Sequence, residues 1–106
     1  MRAPTAIFKT QNGYKFRIRY RQITYVERFF FVDIKHPDNS CIKTWQKEVI
    51  KIKAFHLLNY NLLPQQIFGF LLTPMLVNWN MSNKVYRQID AFLHRVNEYD
   101  NYLDNT

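Results

Sequence analysis

From Tyr14 to Arg21 the chain alternates without interruption, with Tyr14, Phe16, Ile18 and Tyr20 at one parity and Lys15, Arg17, Arg19 and Arg21 at the other. Successive side chains of a strand point to opposite faces. The octet therefore predicts a β-strand with one apolar face and one cationic face.

The flanking segments supply partners for that strand. Ile7 to Thr10 reads as a short first strand, and Gln11-Asn12-Gly13 as the turn that follows, because Asn-Gly provides the positive φ angles that tight hairpins require. After a connection near Gln22 to Thr24, the run from Tyr25 to Ile34 is rich in β-branched and aromatic residues and predicts a third strand. Val26, Arg28, Phe30, Val32 and Ile34 make up its expected core face. Phe29 and Phe31 on the other side then need cover from another segment or a partner. His36-Pro37-Asp38-Asn39-Ser40 ends the strand with strong turn chemistry.

Helical spacing dominates the rest. Asn39 or Ser40 is placed to cap a helix running to about Asn59 through Ile42, Trp45, Val49, Ile52 and His56, with Lys43, Lys47, Lys51 and Lys53 mostly off that stripe. Leu63-Pro64 and Thr73-Pro74 mark short helices at about 64–72 and 74–79, since proline suits a first helical turn. From Ser82 to Leu103 the positions Val85, Ile89, Phe92, Leu93, Val96, Tyr99 and Leu103 predict a long C-terminal amphipathic helix. The expected class is α+β: a three-stranded antiparallel sheet followed by helices packed on one face. A single domain over residues 1–106 is expected, with a β-meander at about 6–34 and a helical part at about 40–103. Its core is expected to take Phe16, Ile18, Trp45, Val49, Ile89, Phe92 and Val96.

Charge divides unevenly along the chain. Residues 1–53 hold twelve Lys and Arg against four acids, a balance of +8, whereas residues 54–106 hold three against four, a balance of −1. Such asymmetry points to a surface for a polyanion. The row Lys15, Arg17, Arg19 and Arg21 would extend roughly 20 Å along the strand, the scale of several successive phosphates. Glu27 or Asp33 on a neighbouring strand is placed to neutralise part of it, and a cationic face also serves simply to keep an open sheet soluble. A three-stranded basic sheet backed by a helix resembles the arm-type DNA-binding domains of tyrosine recombinases, over about residues 6–59. The resemblance is one of architecture, with no specific motif, and implies a sheet laid into the major groove.

Catalytic chemistry finds little footing. Gly13 and Gly69 are the only glycines, which excludes the usual phosphate loop, dinucleotide fingerprint and nucleophile elbow. His94 and Glu98 share a helical face, yet a metal site needs three or four convergent groups, so no metal or organic cofactor is expected. His56 reads as a partly buried histidine. Cys41 allows no intramolecular disulfide, and as a lone thiol at a helix start it has neither a base nor a resolving partner. The N-terminal stretch lacks the apolar run of a secretory signal, and Leu62 to Trp79 is too interrupted to span a bilayer, so a reducing cytoplasmic setting is expected.

Two functions follow as expectations for a chain that is not an enzyme. The first is binding of nucleic acid, double-stranded DNA above all, through Arg17, Arg19 and Arg21, with Lys15, Arg28, Lys47 and Lys51 on phosphates. Tyr25, Phe29 and Phe31, if exposed, would instead stack on unpaired bases. The second is a small inhibitor or adaptor, of the kind a phage encodes against a host nucleoprotein (an anti-CRISPR-like protein), because aromatic and Arg side chains dominate interface hot spots. Either is compatible with a homodimer formed through Leu62 to Trp79.

Overall fold

The structure is a computed structural model that describes residues 1–10, 13–53 and 83–105. These form strands β1 (Thr5–Lys9), β2 (Lys15–Gln22), β3 (Arg28–Lys35) and β4 (Gln46–Lys53), and helix α1 (Asn83–Asp104). The strands make one antiparallel sheet in the order β1-β2-β3-β4. The class is α+β as expected, but the sheet has four strands, and α1 is the one helix among the described residues.

The alternation in β2 resolves as read. Phe16, Ile18 and Tyr20 are buried, while the basic residues between them lie on the opposite, outer face. Gly13 closes the β1–β2 turn at φ +92°, in the left-handed region that glycine enters freely. Thr10 fastens the same turn, its hydroxyl accepting from the Tyr14 amide at 3.1 Å. In β3 the expected core face is correct for Phe30, Val32 and Ile34. Arg28 shares its parity but reaches past the core edge to α1, and Val26 is exposed in the β2–β3 turn.

The expected helix from residue 40 towards 59 is overturned across its middle, where β4 lies. The turn chemistry at its start was legible, for the Ser40 amide donates to the Pro37 carbonyl at 2.9 Å and the Ile42 amide to Ser40 Oγ at 3.1 Å. That turn leads into an extended strand. Ile50 and Ile52 alternate with Lys51 and Lys53, a period-2 pattern of β-branched residues that overrides the looser three-and-four spacing. Two expected core residues fall with the helix: Val49 is exposed, and Trp45 is half-buried on the outer face. The supposed sheet-plus-helix of the arm-type resemblance thereby loses its backing helix over the residues that carried it.

α1 covers the inner face, laying Val85, Ile89, Phe92 and Val96 on Phe8, Phe16, Ile18, Tyr20, Phe30, Val32, Ile34 and Ile50. Phe30 meets Tyr20 and Phe92 with ring centroids 4.9 and 6.3 Å apart. At the far end of the helix, Tyr20 Oη donates to Asp100 Oδ1 at 2.6 Å. Arg28 adds donors to Asp100 at 2.8 Å and to Asp104 at 2.6 Å. Asp104 stands in the last turn, where the helix dipole disfavours a carboxylate, and Arg28 offsets that charge. The helices expected at 64–72 and 74–79, His56, the Ser82 cap and the Leu62 to Trp79 interface lie outside the described residues.

Candidate functional site

The outer face of the sheet is built around one acid. Asp33 on β3 stands opposite Arg17, with Arg19 one step along β2, and its side chain is fully buried. Arg17 Nε donates to Oδ2 at 2.6 Å, Arg19 Nε to the same oxygen at 2.9 Å, and Arg19 Nη2 to Oδ1 at 3.1 Å. The fourth bond comes from the Glu48 amide, which donates to Oδ1 at 2.8 Å. β3–β4 pairing shifts register between Val32 and Ile34, and within the bulge Glu48 adopts φ +54°. Its amide thus turns out of the ladder and onto the carboxylate. Burial pushes the Asp33 pKa up, but the Glu48 amide and the two guanidinium groups outweigh it and hold the carboxyl below its ordinary value.

Aromatic rings extend this cluster on both sides. The Arg17 guanidinium lies 4.6 Å from the centroid of Trp45, and that of Arg19 lies 5.1 Å from Phe31. Lys51 Nζ caps Phe29 at 4.6 Å. Phe29 and Phe31 are buried, so their rings are not available for stacking on a base. The cover that the sequence demanded for them comes in part from their cationic neighbours, whose stems bury apolar surface while their charges stay accessible.

The residues singled out in the sequence accordingly separate into groups. Lys15, Arg17, Arg19 and Arg21 do share the outer face, but not as four free cations. Arg17 and Arg19 are committed to Asp33, and Arg21 donates to the Pro4 and Tyr20 carbonyls at 2.8 Å each and to Thr5 Oγ1 at 2.6 Å. Lys51 is exposed on the same face, and Lys47 is exposed in the bulged start of β4. Arg28 belongs to the opposite face, with α1. Tyr25 is 91% exposed at the tip of the β2–β3 turn, beside Ile23 and Val26.

Sequence reasoning missed Lys9, Lys35 and Lys84. The register places Lys9 opposite Lys15 and Lys15 opposite Lys35, a row of three lysines running across three strands. Lys84, in the first turn of α1, joins them around a cleft of about 360 Å³ whose wall includes Trp45 and Ile7. Among the described residues, no side-chain ion pair or hydrogen bond engages these four ammonium groups. Like charges directly opposite in a sheet are unfavourable. Both turn positions were marked in the sequence, and the row follows once the pairing is counted back from them.

Other chemistry is sparse. Cys41 is exposed in the loop before β4 rather than at a helix start. No group of three His, Cys, Asp or Glu is placed to hold a metal ion among the described residues. No described helix is long and apolar enough to cross a membrane. Compared with known protein families, with characterised proteins and with solved structures, the chain has no significant match to any of them.

Proposed function

We propose that this chain is a non-enzymatic protein that binds double-stranded DNA through the cationic outer face and end of its sheet. The supporting observation is the Lys9, Lys15 and Lys35 row, three opposed ammonium groups with no described acid beside them. Such an arrangement costs free energy in the isolated domain, and a polyanion relieves it while releasing counterions. Lys51 and Lys47 extend the surface along β4. Arg17, Arg19 and Arg21 add field but are tied down by internal partners, so contact falls to lysines acting as point charges on phosphates. Buried Phe29 and Phe31 favour a duplex over single strands, which need open rings to stack on.

Fluorescence anisotropy of a labelled random duplex across a salt series tests the proposal. Binding is expected to weaken linearly on a log–log scale, and replacing Lys9, Lys15 and Lys35 together by Gln should lower the magnitude of the slope by about three units. A slope that survives the triple replacement, or no binding at low salt, removes the reading. A protein-directed inhibitor or adaptor is then the better one. It is favoured by the exposed tip residues Ile23, Tyr25 and Val26, apolar groups held on a rigid turn.

A further inference from the structure

The cleft at the end of the sheet has a chemistry narrower than that of a general polyanion surface. Lys9, Lys15 and Lys35 line it from three adjacent strands and Lys84 lines it from α1, so four lysines border a single recess. Each ammonium is a compact charge with three donors, suited to phosphate oxygens. The α1 N-terminus adds to the positive field, because its first turn contains no acid and Lys84 itself stands where the helix dipole disfavours a cation. Trp45 and Ile7 supply an apolar wall to the same recess, and its volume of about 360 Å³ falls at the small end of the range typical of small-molecule sites, about 300 to 1,000 Å³. A bare inorganic anion uses the charges but leaves the indole idle.

We infer that this cleft binds a nucleoside polyphosphate, its phosphates among Lys9, Lys15, Lys35 and Lys84 and its base against Trp45. Three linked phosphates match the density of positive charge, and the indole offers an apolar surface for a planar ring even with Arg17 on one side of it. The same chemistry arrives from two sources, a free nucleotide or the 5′-triphosphate end of an RNA. The site shares three lysines with the proposed DNA surface, but its occupancy does not depend on DNA binding.

Isothermal titration calorimetry on the full chain with ATP, adenosine and tripolyphosphate separates the contributions. ATP is expected to bind with one-to-one stoichiometry, tripolyphosphate at least tenfold more weakly, and adenosine not measurably. Lys15→Gln with Lys35→Gln should weaken ATP binding at least tenfold, and because it removes the like-charge repulsion between these opposed positions the variant should remain folded by circular dichroism. Trp45→Ala should weaken ATP about tenfold while leaving tripolyphosphate and duplex DNA unchanged, and Trp45→Phe should restore most of the loss. A short RNA bearing a 5′-triphosphate that binds more tightly than its 5′-hydroxyl counterpart identifies the strand end as the source, whereas equal binding of the two with ATP retained identifies the free nucleotide. ATP binding that is absent at low salt, or unchanged in the double lysine variant, overturns the inference. Loss of DNA binding alone leaves it standing.

Discussion

A carboxylate buried on a cationic face is the residue on which the outer side of the sheet turns. Asp33 accepts four hydrogen bonds from three residues, so its charge is compensated within the protein. Removing it leaves two guanidinium groups pressed together and a bulge amide without its acceptor. Asp33→Ala is therefore expected to cost about 3–5 kcal/mol, read from chemical unfolding. The folded-state pKa of Asp33 lies below its unfolded value of about 3.9. Its contribution is thus present above that unfolded value and is lost as the pH falls through the folded one. Asp33→Asn should accordingly unfold with a flatter pH dependence below about pH 4 than the wild type. An equal acid sensitivity in the two proteins would assign the effect to other carboxylates. Asp33 was visible in the sequence as a neutralising acid for the arginine row. Its complete burial was not, because that depends on the register shift at Glu48 and on a residue in the left-handed region, which no local pattern in Gln46 to Val49 announces.

At the scale of elements, legibility followed the strength of the local period. β2 and α1 carry uninterrupted patterns, and both formed nearly where the sequence put them. β4 did not, because Ile42, Trp45, Val49 and Ile52 satisfy a helical spacing by coincidence, while the alternating signal from Ile50 to Lys53 is only four residues long. The edge of β3 favours the strand in such a contest, since pairing with β4 satisfies its amides and carbonyls within the sheet. α1 then packs across the inner face and is held at its far end by Tyr20 and Arg28. Phe92 lies mid-helix, 1% exposed and edge-on to Phe30, so truncating it empties the contact between the two layers. Phe92→Ala should cost about 3–5 kcal/mol, enough to consume most of a small domain's margin, and a marginal shift in melting temperature would mean that α1 does not hold the sheet.

For the whole molecule, the deciding quantity is a net charge of +7 on 106 residues, concentrated on one side of the sheet and partly uncompensated there. Charge asymmetry was legible from the sequence. The three-strand lysine row could have been counted back from the two turns, but the cleft beside it could not, because it also takes Lys84 from α1 and Trp45 from the loop before β4. Two kinds of electrostatics coexist in this arrangement and respond oppositely to salt. The Asp33 cluster is buried and weakly screened, whereas the lysine row is accessible and repulsive, with a range set by the Debye length, about 30 Å at 0.01 M and about 8 Å at 0.15 M. Adjacent strands lie about 4.8 Å apart, so neighbouring lysines repel at both concentrations, but the sum over more distant pairs falls sharply as salt rises. Repulsion should dominate the response, because the chain carries a net charge of +7 and its Asp33 pairs are buried from the screening salt, although exposed pairs such as Lys53–Glu27 weaken with it. The melting temperature is thus expected to rise between 0.01 and 0.15 M sodium chloride, and replacing Lys9, Lys15 and Lys35 by Gln should raise the low-salt value and remove most of the increment. Calorimetric melts of both proteins at the two concentrations make the comparison. A wild-type melting temperature that falls with salt, or a triple variant less stable than the wild type at 0.01 M, would mean that the lysines are engaged by acids within the fold and are not held ready for an external anion.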